Sequence, residues 1–134
     1  MPRQRNTKQR MAIEEVFQDV PRPLSPAEVL ELAQKEVPGL GIATVYRALN
    51  DLVAEEKLRV VELPGQTARY EKSGLAHHHH FHCTECDKVF DLDGCFLKPE
   101  LELPAGFKLL GHDITLKGTC PHCGRENDGV QAGN

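Results

Sequence analysis

Residues 77–86 read HHHHFHCTEC, which places five imidazoles and two thiols within ten positions. A second thiol pair, CPHC, stands at 120–123. Cys83-x-x-Cys86 and Cys120-x-x-Cys123 each put two thiolates on a tight knuckle, and two knuckles complete a tetrahedral S4 shell for zinc. In a reducing compartment such pairs point to metal thiolates before disulfides. A redox reading would need only one pair, set at a helix N-terminus, and neither pair precedes a convincing helix in the sequence. The four cysteines are therefore expected to hold a structural Zn2+ that clips distant strands together.

The histidines ask for a different chemistry. If 77–83 is a strand, successive side chains alternate between its faces. His77 and His79 then point one way, and His78, His80 and His82 the other. One run could thus serve two metal sites on opposite faces, with Glu71, Asp91, Glu100 and His112 as candidate partners. Imidazole with carboxylate suits zinc, iron and manganese to different degrees, so the metal stays open. A purification tag is disfavoured, because the run leads directly into a CxxC knuckle; a solvated polar edge is the bland alternative. Histidines and carboxylates around zinc could also serve a hydrolase with an open coordination position. The chain carries no HExxH, GxSxG or P-loop pattern, however, and an enzyme is not expected.

These groups need elements to position them. Ile13, Val16, Phe17 and Val20 have helical spacing, predicting a helix from about Thr7 to Asp19. Ser25-Pro26-Ala27-Glu28 is a capping box with proline at the first helical position, and Val29, Leu30, Ala33 and Val37 supply the apolar stripe. A third helix is expected from about Ile42 to Glu56. Val45, Leu49, Leu52 and Val53 form its inner face, with Ala43, Arg47 and Asn50 opposite and Tyr46 beside them. LRVVEL (58–63) and ARYEK (68–72) read as two strands around a turn at Pro64-Gly65. Three helices followed by a hairpin is the winged helix-turn-helix layout. Arg3, Arg5, Lys8 and Arg10, with no acid in the first ten residues, form a basic patch suited to DNA phosphates.

The second half is β-rich. HFHCTEC and KVFDL read as paired strands, and FKLLGHDITLKGTC as strand material with a kink at Gly111. CFLKPELELPAG (95–106) allows only a short helix, because Pro99 and Pro104 restrict it. The expected division is a winged-helix domain over 1–74 and a metal-binding domain over 75–134, disordered after about 125. With 134 residues, seven Phe and Tyr together and no Trp, the core is small, which favours help from metal or dimerisation. No apolar run approaches membrane-spanning length and no signal peptide is expected, which points to a cytoplasmic location.

GIATVYRALNDL, RYE, HHHHFHCTEC, GHD and CPHC, in that order and at these distances, closely resemble the ferric uptake regulator family of bacterial metal-dependent repressors. The resemblance extends from about Arg5 to Cys123. It implies an α+β homodimer in which a winged helix precedes a small α/β dimerisation domain. It further implies a repressor of metal-homeostasis or oxidative-stress genes, with metal locking the dimer onto a palindromic operator. Residue by residue, it implies DNA contacts from Arg10, Thr44, Tyr46 and Arg47, beside the basic residues Arg3, Arg5 and Lys8. The structural zinc would fall to Cys83, Cys86, Cys120 and Cys123. A regulatory divalent metal (Zn2+, Fe2+ or Mn2+) would bind Glu71, His78, His80 and Asp91. A second site would use His77, His79 and His112 with Glu100, for which Cys95 is a rival.

The chain departs from the family pattern at His79, where aspartate is usual, and at Pro23, where a regulatory-site histidine is usual. Added imidazole points towards zinc, and Asp91 towards iron or manganese. An iron-dependent peroxide sensor of the same family is one alternative; a zinc-ribbon protein that merely buffers metal is another.

Overall fold

The computed structural model describes residues 2–75, 78–94 and 103–124, with side chains from residue 7 onward. The chain divides into two compact units, Met1–Gly74 and Leu75–Asn134.

The first unit contains α1 (Pro2–Asp19), α2 (Pro26–Ala33), α3 (Ile42–Ala54), β1 (Leu58–Val61) and β2 (Arg69–Lys72). Its core joins Ile13, Val16 and Phe17 of α1 to Val29 and Ala33 of α2, and to Val45, Leu49 and Leu52 of α3. Each set follows helical spacing, so one stripe per helix faces inward. The capping box of α2 is present: Ser25 Oγ accepts from the Glu28 N–H (3.2 Å) and Glu28 Oε1 accepts from the Ser25 N–H (3.0 Å). Arg22 Nη2 donates to the other oxygen of Glu28 at 2.7 Å.

Helix α1 begins at Pro2, five residues before the expected start. Proline at the first helical position and the Arg and Gln that follow are compatible with a helix. The basic residues Arg3, Arg5, Lys8 and Arg10 therefore lie on this helix. Helix α2 ends earlier than its apolar stripe suggested, with turns carrying the chain past Val37. Helix α3 ends in a left-handed Glu56 (φ 62°), and the Lys57 N–H donates back to the Leu52 carbonyl at 2.9 Å. This is the six-to-one bond of a Schellman cap.

The wing pairs β1 with β2 antiparallel, from Leu58 opposite Lys72 to Val61 opposite Arg69. The sequence had not suggested that Leu24, between α1 and α2, bridges the free edge of β2. Leu24 and Tyr70 exchange both backbone hydrogen bonds, at 2.9 and 2.8 Å. That bridge fastens the wing to the helices.

The second unit holds β3 (His78–Cys83), β4 (Val89–Asp93), β5 (Thr115–Gly118) and a single helical turn, α4 (Pro121–Gly124). Strand β3 is central, antiparallel to β4 and parallel to β5. Two expectations need correction. The long strand over 107–120 contracts to Thr115–Gly118. In a parallel pair, residues before Thr115 need partners before His80, and among the described residues the pairing begins at His80. Phe107, Leu109 and Leu110 lie outside the sheet and are exposed, Leu110 almost completely. Secondly, a helical turn does follow Cys120, closed by the Gly124 N–H on the Cys120 carbonyl at 2.7 Å. The short helix expected at 95–106 falls mostly outside the described residues, as does the tail after 124.

Candidate metal centres and nucleic-acid face

The period of two along β3 sorts the run's chemistry as the sequence suggested. On one face, His78 and His80 stand with ring centroids 4.9 Å apart. His80 lies directly opposite Asp91 on β4, while His78 lies opposite Asp93. Asp91 Oδ1 reaches both rings, at 3.1 Å from His78 Nε2 and 3.4 Å from His80 Nε2. The ligand atoms of His78, His80 and Asp91 all lie within 4.8 Å of one another. Two buried imidazoles and a carboxylate converging on one point form a donor set for a borderline or hard divalent cation. Glu71, expected to join them, stands on β2 of the first unit, where its Oε2 accepts from Arg59 Nε at 2.7 Å.

The opposite face carries His79. Its ring centroid lies 5.0 Å from that of His112, so two of the second-site residues come together. His79 Nδ1 accepts from the Ile114 N–H at 3.2 Å, which ties the ring to the chain leading into β5. His77, Glu100 and Cys95 lie outside the described residues.

Past the end of β3 the four thiols converge. Their sulfurs lie within 4.8 Å of one another, with Cys86 Sγ and Cys120 Sγ 3.9 Å apart. A tetrahedral zinc with Zn–S near 2.3 Å needs sulfurs about 3.8 Å apart, so the cage fits that ion. Backbone N–H groups point at the sulfurs: Cys86 N–H (3.5 Å) and Cys120 N–H (3.3 Å) donate to Cys83 Sγ, and Cys123 N–H (3.5 Å) to Cys120 Sγ. Burial raises the Cys83 thiol, but the N–H groups of Cys86, Cys120 and Glu85 outweigh it and bring it to about 6. The Cys123 thiol is pushed up to about 12, by burial and then by hydrogen bonding with Cys120, Cys83 and Cys86. Four thiolates this close cannot all ionise without a cation, which is the condition a bound Zn2+ relieves.

On the first unit, Tyr46 and Arg47 project from α3 into solvent. Arg47 Nη2 donates to Thr44 Oγ1 at 3.2 Å, so the two share one helix face. Lys8 is exposed on α1; of Arg3 and Arg5 the structure describes the backbone alone. Arg10 differs. It is half-buried and hydrogen-bonds Glu55 just past α3. Lys57 joins the group through Glu14 (3.5 Å) and Glu55 (3.8 Å). These ion pairs tie α1 to the end of α3, a link that residue types 45 positions apart gave no means of foreseeing. The sequence placed His82 on the face of His78 and His80 but gave it no partner; its Nε2 lies 2.6 Å from Asp87 Oδ1.

A winged helix joined to a unit with separate thiolate and imidazole–carboxylate donor sets is the organisation of a metal-responsive transcription regulator. The comparisons make this specific. Residues 3–117 match the model of the ferric uptake regulator family, and the chain belongs to that family. It is similar to the ferric uptake regulation protein of Campylobacter jejuni, with 33% identity over 106 residues, covering 76% of this chain and 68% of that one. The corresponding protein of Helicobacter pylori is 30% identical over 131 residues, covering 92% of this chain and 85% of the relative. Among solved structures, the Helicobacter pylori ferric uptake regulator, described as having three functional metal-binding sites, aligns with a TM-score of 0.65 at 30% identity. That alignment covers 87% of this chain and 79% of the other.

Proposed function

We propose that the protein is a DNA-binding repressor whose affinity for a palindromic operator is set by a divalent metal. The observation that carries this reading is the placement of Asp91 between His78 and His80, a preformed donor set chemically distinct from the thiolate cage. Three metal sites are described for the Helicobacter pylori relative; here the thiolate cage, the His78/His80/Asp91 face and the His79/His112 face offer counterparts. Cys83, Cys86, Cys120 and Cys123 would hold a structural Zn2+. Regulatory metal would bind His78, His80 and Asp91, with Glu71 as the further ligand that the family resemblance supplies. His112 and His79, with His77 and Glu100, form the second-site proposal.

Metal acts on DNA affinity through the difference between two conformational states, not by touching DNA. The metal-bound homodimer would hold two α3 helices at a spacing that fits successive major grooves, with Tyr46, Arg47 and Thr44 towards the duplex. Arg3, Arg5 and Lys8 would add phosphate contacts, which are salt-sensitive and independent of base sequence. Arg10 would act partly through its hold on Glu55. The exposed Phe107, Leu109 and Leu110 suit the surface that meets a second copy.

The test combines elemental analysis of purified protein with operator-binding titrations using Zn2+, Mn2+ and Fe2+. The His80→Ala variant should remain a folded, zinc-containing dimer and lose metal-stimulated binding. A full metal response from that variant would remove the regulatory-site assignment.

A further inference from the structure

We propose that His82 and Asp87 form a clamp that holds the first cysteine knuckle in its zinc-ready shape. His82 is then a positioning residue for the thiolate cage and not a metal ligand. It shares a face of β3 with His78 and His80 and is as deeply buried, at 5% exposure. Its Nε2, however, lies 2.6 Å from Asp87 Oδ1. An ionised carboxylate only accepts, so Nε2 donates this bond, and His82 belongs to neither cluster of potential metal ligands among the described residues.

The two residues bracket the knuckle: His82 immediately precedes Cys83, and Asp87 immediately follows Cys86. Between them the backbone folds tightly. The Asp87 N–H donates to the Cys83 carbonyl at 2.8 Å, and the Cys83 N–H to the Lys88 carbonyl at 2.9 Å. Asp87 adopts φ 65°, a left-handed conformation that is uphill for a side-chain-bearing residue. The bond from this buried ring holds Asp87 there. With that turn fixed, the Cys86 N–H stays directed at Cys83 Sγ and the two sulfurs keep their separation. Hydrogen bonds one layer out from a metal commonly alter its affinity by about 10- to 100-fold.

The inference rests on the reading of the four cysteines as a zinc site, and one experiment separates the two. Zinc release from the full-length protein to 4-(2-pyridylazo)resorcinol is followed at fixed pH. The zinc that Cys120→Ser loses defines the cage-bound fraction; if that variant loses none, the zinc reading itself fails. For the clamp, Asp87→Gly is the decisive variant. Glycine suits φ 65° better than aspartate, so strain relief alone would slow release. The clamp predicts release about 10-fold faster. His82→Phe should match it, His82→Gln should recover most of the wild-type rate, and the double variant His82→Phe/Asp87→Gly should be no faster than either single one. A cobalt-loaded Asp87→Gly protein should show an altered thiolate-to-metal charge-transfer band. Wild-type release from Asp87→Gly, or effects that multiply in the double variant, would overturn the clamp. Should His82→Phe fail to fold, Asp87→Gly and His82→Gln decide the matter alone.

Discussion

His80 and Asp91 face each other across an antiparallel pair of strands, and the carboxylate of Asp91 also reaches His78, two residues along the same face. One aspartate thus organises two imidazoles. A bound metal would take Asp91 as an anionic ligand, and the structure already sets its Oδ1 against both rings. Asp91→Ala should therefore weaken regulatory metal binding by at least about 10-fold while leaving the cage-bound zinc in place. Competition titrations with a fluorescent chelator measure the first quantity and elemental analysis the second. Equal loss of both metals would mean that the substitution had unfolded the sheet.

The Phe81 ring lies over Gly118. A methyl group added at Gly118 would meet Phe81 Cζ at 3.0 Å, in a sheet where Gly118 also accepts from the Thr84 N–H at 2.8 Å and the Thr84 hydroxyl at 3.2 Å. Gly118→Ala should destabilise the second unit by about 1–3 kcal/mol, the usual cost of overpacking. Phe81→Leu in the same chain should restore part of the loss. Thermal unfolding of the zinc-loaded protein measures both, and an unchanged midpoint for Gly118→Ala would show that the ring moves aside without cost.

Glu56 occupies the left-handed position of the cap on α3 at φ 62°. Glycine reaches that conformation without its steric penalty. Glu56→Gly should raise the stability of the first unit by about 1 kcal/mol, visible in denaturant unfolding. A loss of stability would show that the Glu56 side chain contributes more than its backbone strain costs.

Hydrogen bonding to Arg10 holds the Glu55 carboxyl below the usual carboxylate range, with the Arg10 charge and then Lys57 adding to the effect. A carboxylate depressed on folding contributes stability above its ordinary value of 4.5, and that contribution disappears as pH falls through the lowered value. Acidification should therefore loosen the join between α1 and α3. Glu55→Gln should flatten this part of the acid limb, read from amide signals of α1 and α3 residues between about pH 6 and 3. An acid limb identical to wild type would mean that the pair adds nothing measurable, as many exposed ion pairs do.

Much of the fold was legible because its signals are local. Helical spacing marked Ile13, Val16 and Phe17, the Ser25–Glu28 box marked a helix start, and the alternation of His78, His79 and His80 between faces follows from the strand period alone. The two CxxC pairs identified their partners because thiol spacing is distinctive. What escaped depends on contacts between distant positions or on the absence of a ladder partner. Leu24 looks like any loop leucine until Tyr70 lies beside it. Arg10 reads as one more basic residue, and only the fold brings Glu55 to it. The apolar stretch around Leu109 and Leu110 has strand-forming residues, but a strand also requires a neighbour.

Four consecutive histidines are nearly blind to a shift of one position. Were β3 to slide by a single residue, imidazoles would still line both of its faces, and the run itself would give little energetic sign of the error. The alignment must come from the dissimilar residues at its end. Phe81 has one glycine to lie against, and Cys83 has its sulfur bound by the N–H groups of Cys86 and Cys120. The aromatic ring and the thiol are the index marks by which an otherwise featureless ruler is read.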